Sequence, residues 1–162
     1  MHLVDTLPET DRPRKPGTVR IAVAAIVAAA VLNVIGGLAC ANLLYRVAET
    51  NADRQVIVMS TTTTAILWSA IALTTVATAA RIAIIKGVNQ GRPVARTAAF
   101  AVEALTVVVW AAMAMVRLAD GGGVAIDVPE QVLRMLAVVC ILGSAAVVVP
   151  LALPAARSWF RG

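Results

Sequence analysis

Four long apolar stretches occupy most of this chain, and short polar segments separate them. The stretches cover residues 21–45, 56–85, 97–118 and 132–156. A helix needs about 20 predominantly apolar residues to cross the hydrocarbon core of a bilayer, and each stretch is at least that long. The sequence therefore predicts an all-α fold, an integral membrane four-helix bundle.

The composition is typical of a single membrane domain. Apolar residues make up 60% of the chain and charged residues only 14%, whereas about a quarter of the residues in a soluble domain are charged. Four spans leave little chain for a second folded unit, so we expect one four-helix domain at residues 18–162. Residues 1–17 combine prolines with alternating charges and lack apolar periodicity, so we expect a disordered, basic cytoplasmic tail there.

The lysines and arginines predict the orientation of the bundle. Most of them lie in the tail, around the link between the second and third spans, or after the fourth span: Arg12, Arg14, Lys15, Arg20, Arg81, Lys86, Arg92, Arg96, Arg157 and Arg161. The opposite links carry Arg46, Arg54, Arg117 and Arg134, together with acidic residues. Because cytoplasmic loops are enriched in lysine and arginine, we expect a plasma (inner) membrane protein with both termini in the cytoplasm.

The same charges indicate the partners of the protein. Its net charge is +5, and a basic surface beside a membrane attracts anionic headgroups by about 1 kcal/mol per lysine or arginine. Membrane topology alone accounts for these charges, so we predict no nucleic acid partner. We expect a lipid bilayer with anionic headgroups, and a membrane-protein partner or a homo-oligomer is possible.

Glu103 is the most informative polar residue within the spans. It lies seven residues, or about 10 Å along a helix, inward from Arg96 on the third span. An ionisable group at that depth is by default a functional-site hypothesis, although its side chain can also lean back toward Arg96 or interfacial water. Thr74 and Thr75 lie at a similar depth on the second span, and Pro150 frees a carbonyl, that of Ala146, on the fourth. We expect these groups to form one polar layer.

Asn33 completes the candidate intramembrane polar site, which comprises Glu103, Asn33, Thr74 and Thr75. It is the middle member of a series of mostly small residues at a spacing of four: Ala25, Ala29, Asn33, Gly37 and Ala41. Small residues let membrane helices approach closely, so we expect this face to meet a neighbour and Asn33 to form a hydrogen bond across helices. Solute binding by Asn33 is the alternative. We also expect Trp68 and Trp110, at matching depths, to pack together or to fill the bundle.

The residue patterns of common enzymes and cofactor sites are missing from the sequence. It has no glycine-rich phosphate loop with a lysine, no paired cysteines or histidines at metal-ligand spacing, and no nucleophile beside a base. The only histidine, His2, lies in the tail. We therefore predict no enzyme activity and no catalytic, cofactor or metal site. Cys40 and Cys140 lie in the outer halves of the first and fourth spans. We expect free buried thiols there, and a disulfide between them is the alternative.

Two short segments carry a resemblance to a known group. The link Gly91-Arg92-Pro93-Val94-Ala95-Arg96 precedes the third span, and Ala156-Arg157-Ser158-Trp159-Phe160 follows the fourth. In this arrangement the chain resembles uncharacterised four-helix integral membrane proteins of actinobacteria. The resemblance implies a four-helix membrane fold and no particular activity.

Two functions remain open at the level of sequence. The first is a non-enzymatic accessory or interaction protein of the cell envelope. The alternative is an oligomeric transporter of a small solute or ion that uses Glu103 as a proton- or cation-coupling group. A transporter needs a polar path that is continuous across the membrane, whereas an accessory protein can have a dry centre.

Overall fold

The structure, a computed structural model, describes residues 15–52, 61–115 and 127–160. The described part of the chain contains α1 (Gly17–Ala52), α2 (Thr61–Asn89), α3 (Pro93–Ala114), α4 (Asp127–Ala152) and α5 (Pro154–Trp159). The helices α1 to α4 are each long and apolar enough to cross a membrane. The predicted all-α fold with four long apolar helices is therefore confirmed. Most of the tail predicted to be disordered lies outside the described residues.

The four long helices form an antiparallel ring. Each packs against two others, in the order α1, α2, α3, α4 and back to α1. The starts of α1 and α3 and the ends of α2 and α4 therefore lie together, at what we call the basic end. Contacts between Lys15 and Asn89 and between Arg96 and Leu151 join these termini. The opposite end is called the far end.

Buried positions on the helices alternate in spacings of three and four. On α4 they are Leu133, Ala137, Cys140, Ser144, Val147 and Leu151, and this alternation is typical of left-handed helix bundles. The predicted stripe on α1 used a constant spacing of four, which drifts by about 40° at each step because a helix turns every 3.6 residues. Ala29 and Asn33 are accordingly buried, whereas Ala41 is exposed. The stripe prediction is correct only in its middle.

The turn between α2 and α3 differs from the expected one. The pattern Lys86-Gly87 predicts that α2 ends there, but the helix continues to Asn89 and the chain turns at Gly91, whose φ is 71°. Gly87 has another role, because a Cβ at this position would lie 2.6 Å from the Cβ of Ala95. It therefore allows α2 and α3 to approach closely. Pro93 begins α3, at a position where its missing N–H costs no helical hydrogen bond.

The predicted fourth span, residues 132–156, is interrupted before its end. Pro150 is accommodated inside α4, but the helix stops at Ala152 and α5 starts at Pro154. Within α5 and just beyond it, Ala156 and Phe160 are buried against the ends of the long helices. The short helix therefore caps the basic end of the bundle.

Two apolar clusters fill the bundle. The basic-end cluster consists mainly of Val19, Ala22, Ile26, Ala29, Val88, Ala95, Ala99, Val147, Leu151, Ala156 and Phe160. The far-end cluster consists mainly of Cys40, Leu43, Leu67, Ala70, Val109, Trp110, Met113, Leu133, Ala137 and Cys140. Along every helix the positions between the clusters are partly polar, and these positions contain the candidate site.

Candidate functional site

A layer of buried polar side chains separates the two apolar clusters. Its members come from all four long helices: Asn33, Thr74, Arg81, Glu103, Thr106 and Ser144. We call this set the polar layer. Arg81 lies eight residues before the end of α2 and Glu103 ten residues after the start of α3, which corresponds to about 12 and 15 Å from the basic end at 1.5 Å per residue. The layer thus lies near the middle of the bundle.

Arg81 and Glu103 form a buried, bidentate ion pair. Nε of Arg81 donates to Oε1 of Glu103 at 2.8 Å, and Nη2 donates to Oε2 at 2.5 Å. Both residues are 1% exposed. Paired, parallel hydrogen bonds of this type are the strongest arrangement between a guanidinium and a carboxylate. The ion pair connects α2 directly to α3.

The remaining contacts of Arg81 extend this connection. Its Nη2 also donates to Oγ1 of Thr106 at 3.2 Å, and its Nη1 donates to the carbonyl of Ala29 on α1 at 3.5 Å. Thr106 in turn donates to the carbonyl of Val102 at 2.8 Å. A single guanidinium therefore holds α1, α2 and α3 together.

The ion pair solves an electrostatic problem within the bundle. A buried charge is costly unless it is paired and its hydrogen-bonding groups are used. Glu103 uses both of its oxygens on Arg81, and the pair carries no net charge. This arrangement is suited to holding helices in register, because the loss of either partner leaves the other as an uncompensated buried charge.

Asn33 makes the hydrogen bond across helices that the sequence predicts. Nε1 of Trp110 donates to Oδ1 of Asn33 at 3.1 Å, which links α3 to the diagonally opposite α1. The indole lies directly on Gly36, where a Cβ would be 2.2 Å from its Cη2 atom. Among the described residues, Nδ2 of Asn33 and Oγ of Ser144 have no hydrogen-bond partner.

The two threonines of the predicted site have different environments. Thr74 is buried and donates to the carbonyl of Ala70 at 2.7 Å. It lies with Asn33 and Thr106 along a groove between α2 and α3 that is too narrow to hold a water molecule. Thr75 is exposed on the outward side of α2 and donates to the carbonyl of Ile71. Thr75 is therefore not part of the polar layer.

Three further expectations need correction. Glu103 does not reach back to Arg96, because Arg96 donates instead to the carbonyl of Leu151 at 3.0 Å. The two indoles do not pack together, since Trp110 is fully buried and Trp68 is 61% exposed. On α4 the polar residue of the layer is Ser144, whereas Ala146 lies on an exposed position.

Arg81 is the functional residue that sequence reasoning missed. It was expected to be one of the orienting charges around the link between the second and third spans. A geometric signal for its true role is present in the sequence, because residues equally far from the turn of a helical hairpin lie opposite each other. Arg81 and Glu103 are nearly equidistant from the turn at Gly91 and Arg92.

The described residues contain no group of three or more histidine, cysteine or acidic side chains that could hold a metal ion. Cys40 and Cys140 are free and buried in the far-end cluster, as expected.

No protein-family model, curated protein or solved structure matches this chain. The resemblance to four-helix membrane proteins of actinobacteria therefore stays a prediction. The proposed function is therefore argued from the polar layer and from the charges at the two ends of the bundle.

Proposed function

We propose that this protein is a non-enzymatic accessory or interaction protein of the cell envelope, embedded in the plasma membrane as a four-helix bundle. The observation that carries the proposal is the Arg81–Glu103 ion pair, closed between two apolar clusters. The pair holds the helices of the bundle in register. The outward surface of the bundle is then the part that meets lipid and partner proteins.

The surroundings of Glu103 favour this function over transport. A proton- or cation-coupling carboxylate has to exchange its ligand during each cycle, but both oxygens of Glu103 hold Arg81. Apolar side chains bound the polar layer on both sides, and the groove at Asn33 has no space for water. A transporter that uses Glu103 would have to break the ion pair and open one of the clusters.

The outward surface supports a membrane location. Large apolar side chains project from the long helices, among them Trp68, Val76, Ile82, Val108, Met135 and Leu142. Membrane-spanning helices are expected to present such side chains to lipid, because hydrocarbon is the solvent there. The surface is therefore suited to a bilayer and to contact with other membrane helices.

The charges at the two ends support an orientation with both termini in the cytoplasm. The described basic residues of the basic end are Lys15, Arg20, Lys86, Arg92, Arg96 and Arg157, and the described part of that end has no acidic residue outside the bundle interior. The described part of the far end combines Arg46 and Arg134 with Glu49. Arg81 is buried and no longer counts as an orienting charge, but the asymmetry between the two ends remains without it. By the positive-inside rule we therefore expect the basic end to face the cytoplasm.

The test is purification of the full chain in native lipid, with identification of co-purifying proteins, alongside proton-dependent uptake into vesicles of purified protein. We expect a reproducible protein partner. The double variant Arg81→Met with Glu103→Leu should retain this partner, because it replaces the ion pair by apolar packing and leaves the outward surface unchanged. Proton-dependent uptake by the wild type that this double variant lacks would overturn the proposal in favour of the transporter. Recovery of the chain in a detergent-free supernatant would overturn the membrane location itself.

A further inference from the structure

The end of α4 leaves backbone carbonyls without helical partners. The last four carbonyls of a helix lack an intrahelical donor, and Pro154 cannot supply an N–H. Two arginines fill this gap. Nε of Arg96 donates to the carbonyl of Leu151 at 3.0 Å, and Nε of Arg157 donates to the carbonyl of Ala152 at 3.0 Å.

This capping binds two guanidinium groups to the same end of α4. They are bound to successive carbonyls, one from α3 and the other from α5. Arg96 is held further by Phe100, whose ring centroid lies 5.3 Å from its Cζ atom. Each guanidinium uses only its Nε edge in these bonds, and the terminal nitrogens of both have no hydrogen-bond partner among the described residues. Terminal nitrogens in this planar fork match the oxygens of a phosphate.

The electrostatic surroundings favour an anion at this position. Lys15, Arg20, Lys86 and Arg92 lie at the same end of the bundle, and the carboxylate of Glu103 is already engaged by Arg81. Partial burial, together with the positive charge of Arg20, lowers the pKa of Lys15 below its ordinary value. The described basic end therefore holds a concentration of positive charge that its own side chains do not neutralise.

Exposed apolar side chains occur at the same end of the bundle as the two arginines. Val94, two residues before Arg96, is 76% exposed, and Leu153, which follows Ala152, is 43% exposed. A free phosphate ion has no apolar part that could contact such a surface, whereas a phospholipid has acyl chains attached to its phosphate. The combination of an arginine pair and exposed apolar side chains matches both parts of a lipid.

We propose that Arg96 and Arg157 bind the phosphate of an anionic phospholipid headgroup at the end of α4. This assignment rests on the proposed membrane location and is independent of whether the protein is an accessory protein or a transporter. Trp159 supports the site by fixing α5, since its Nε1 donates to the carbonyl of Val88 at 3.2 Å and its side chain packs on Gly91. Arg157 is therefore carried by a helix that is packed against the turn between α2 and α3.

The test uses the purified, delipidated full chain in detergent, titrated with phosphatidylglycerol, phosphatidylcholine or inorganic phosphate and followed by native mass spectrometry. We expect preference for phosphatidylglycerol over phosphatidylcholine. The double variant Arg96→Gln with Arg157→Gln should bind phosphatidylglycerol about tenfold more weakly, because it loses charge-assisted hydrogen bonds. The matched control, Lys86→Gln with Arg92→Gln, removes the same charge from the same end and should weaken binding only about threefold, because these side chains add to the positive field but donate no hydrogen bond to the phosphate.

Three outcomes would overturn the assignment. Equal weakening by both double variants would mean that net charge alone attracts lipid. Displacement of the lipid by inorganic phosphate at low millimolar concentration would make free phosphate the ligand. Unchanged binding in Arg157→Gln alone, a variant that leaves the Arg96 cap in place, would show that the pair does not act together. None of these outcomes bears on partner recovery or on proton-dependent uptake.

Discussion

The polar layer and the far-end cluster both join the four helices, but they do so by different physical means. The polar layer uses one ion pair with defined partners, Arg81 and Glu103. The far-end cluster uses shape, with Trp110 seated on Gly36. In the proposed membrane location the surrounding lipid is as apolar as leucine, so apolar side chains gain little from leaving it beyond close packing. The layer therefore sets which helix positions face each other, and the clusters tighten the arrangement.

The largest expected effect comes from breaking the ion pair on one side. In Glu103→Gln the guanidinium of Arg81 remains buried without its counter-charge, and loss of one partner of a buried pair costs about 3–5 kcal/mol. We expect a lower unfolding temperature in mild detergent and reduced accumulation in the membrane. Measurement of both quantities against the wild type checks the prediction.

The double variant Arg81→Met with Glu103→Leu is the control for that experiment. Replacement of a whole buried ion pair by apolar residues is often neutral or stabilising by about 1–4 kcal/mol, so the double variant should recover most of the lost stability. A double variant as unstable as Glu103→Gln would contradict the view that uncompensated charge is the cause.

A smaller loss is expected from crowding the far-end cluster. In Gly36→Ala the added methyl group overlaps the ring of Trp110, which lies 2.2 Å from the position of the new Cβ. Overpacking of a filled core typically costs about 1–3 kcal/mol. The measurement is the unfolding temperature, together with the fluorescence of Trp110 in a Trp68→Phe, Trp159→Phe background. Gly143→Ala is the control, since its new Cβ meets only the flexible end of Leu32, at 3.2 Å.

A still smaller effect is expected at Thr106. The substitution Thr106→Val preserves the shape of the side chain but removes an acceptor from Nη2 of Arg81, which keeps Glu103 as its main partner. The loss of one hydrogen bond from a network that otherwise remains costs about 0.5–1.5 kcal/mol. Chemical unfolding at equilibrium would measure it. A cost equal to that of Glu103→Gln would contradict the view that the carboxylate of Glu103 is the main partner of Arg81.

The smallest effect is predicted for Thr75, the one residue of the predicted polar site that lies outside the polar layer. Thr75 faces outward and bonds only to its own helix, so Thr75→Val should change stability by less than about 0.5 kcal/mol, as for most surface substitutions. The same chemical change thus separates a member of the polar layer from an outward-facing residue. A loss at Thr75 larger than at Thr106 would reverse the assignment of the two positions.

Much of this arrangement follows from the sequence, and the failures have physical causes. The length and hydropathy of the apolar stretches suffice to predict four helices. The position of a polar residue along its stretch suffices to select Glu103, Asn33 and Thr74. Arg81 was missed because a rule that counts basic residues near span ends does not ask which of them face inward. The break at Leu153 was missed because Pro150, tolerated inside α4, and Pro154, which begins α5, look alike until the packing of Ala156 is known.

The location of the ion pair on a helical hairpin has a consequence for biogenesis. Its two charges lie on α2 and α3, which a turn of only a few residues connects. A lone arginine or aspartate at the centre of an inserting helix costs about 2.5–3.5 kcal/mol on the insertion scale. Entry of α2 and α3 as one unit lets Arg81 and Glu103 neutralise each other before either helix meets lipid alone. If the chain is inserted as proposed, we therefore expect α2 and α3 to enter the membrane together, as one hairpin.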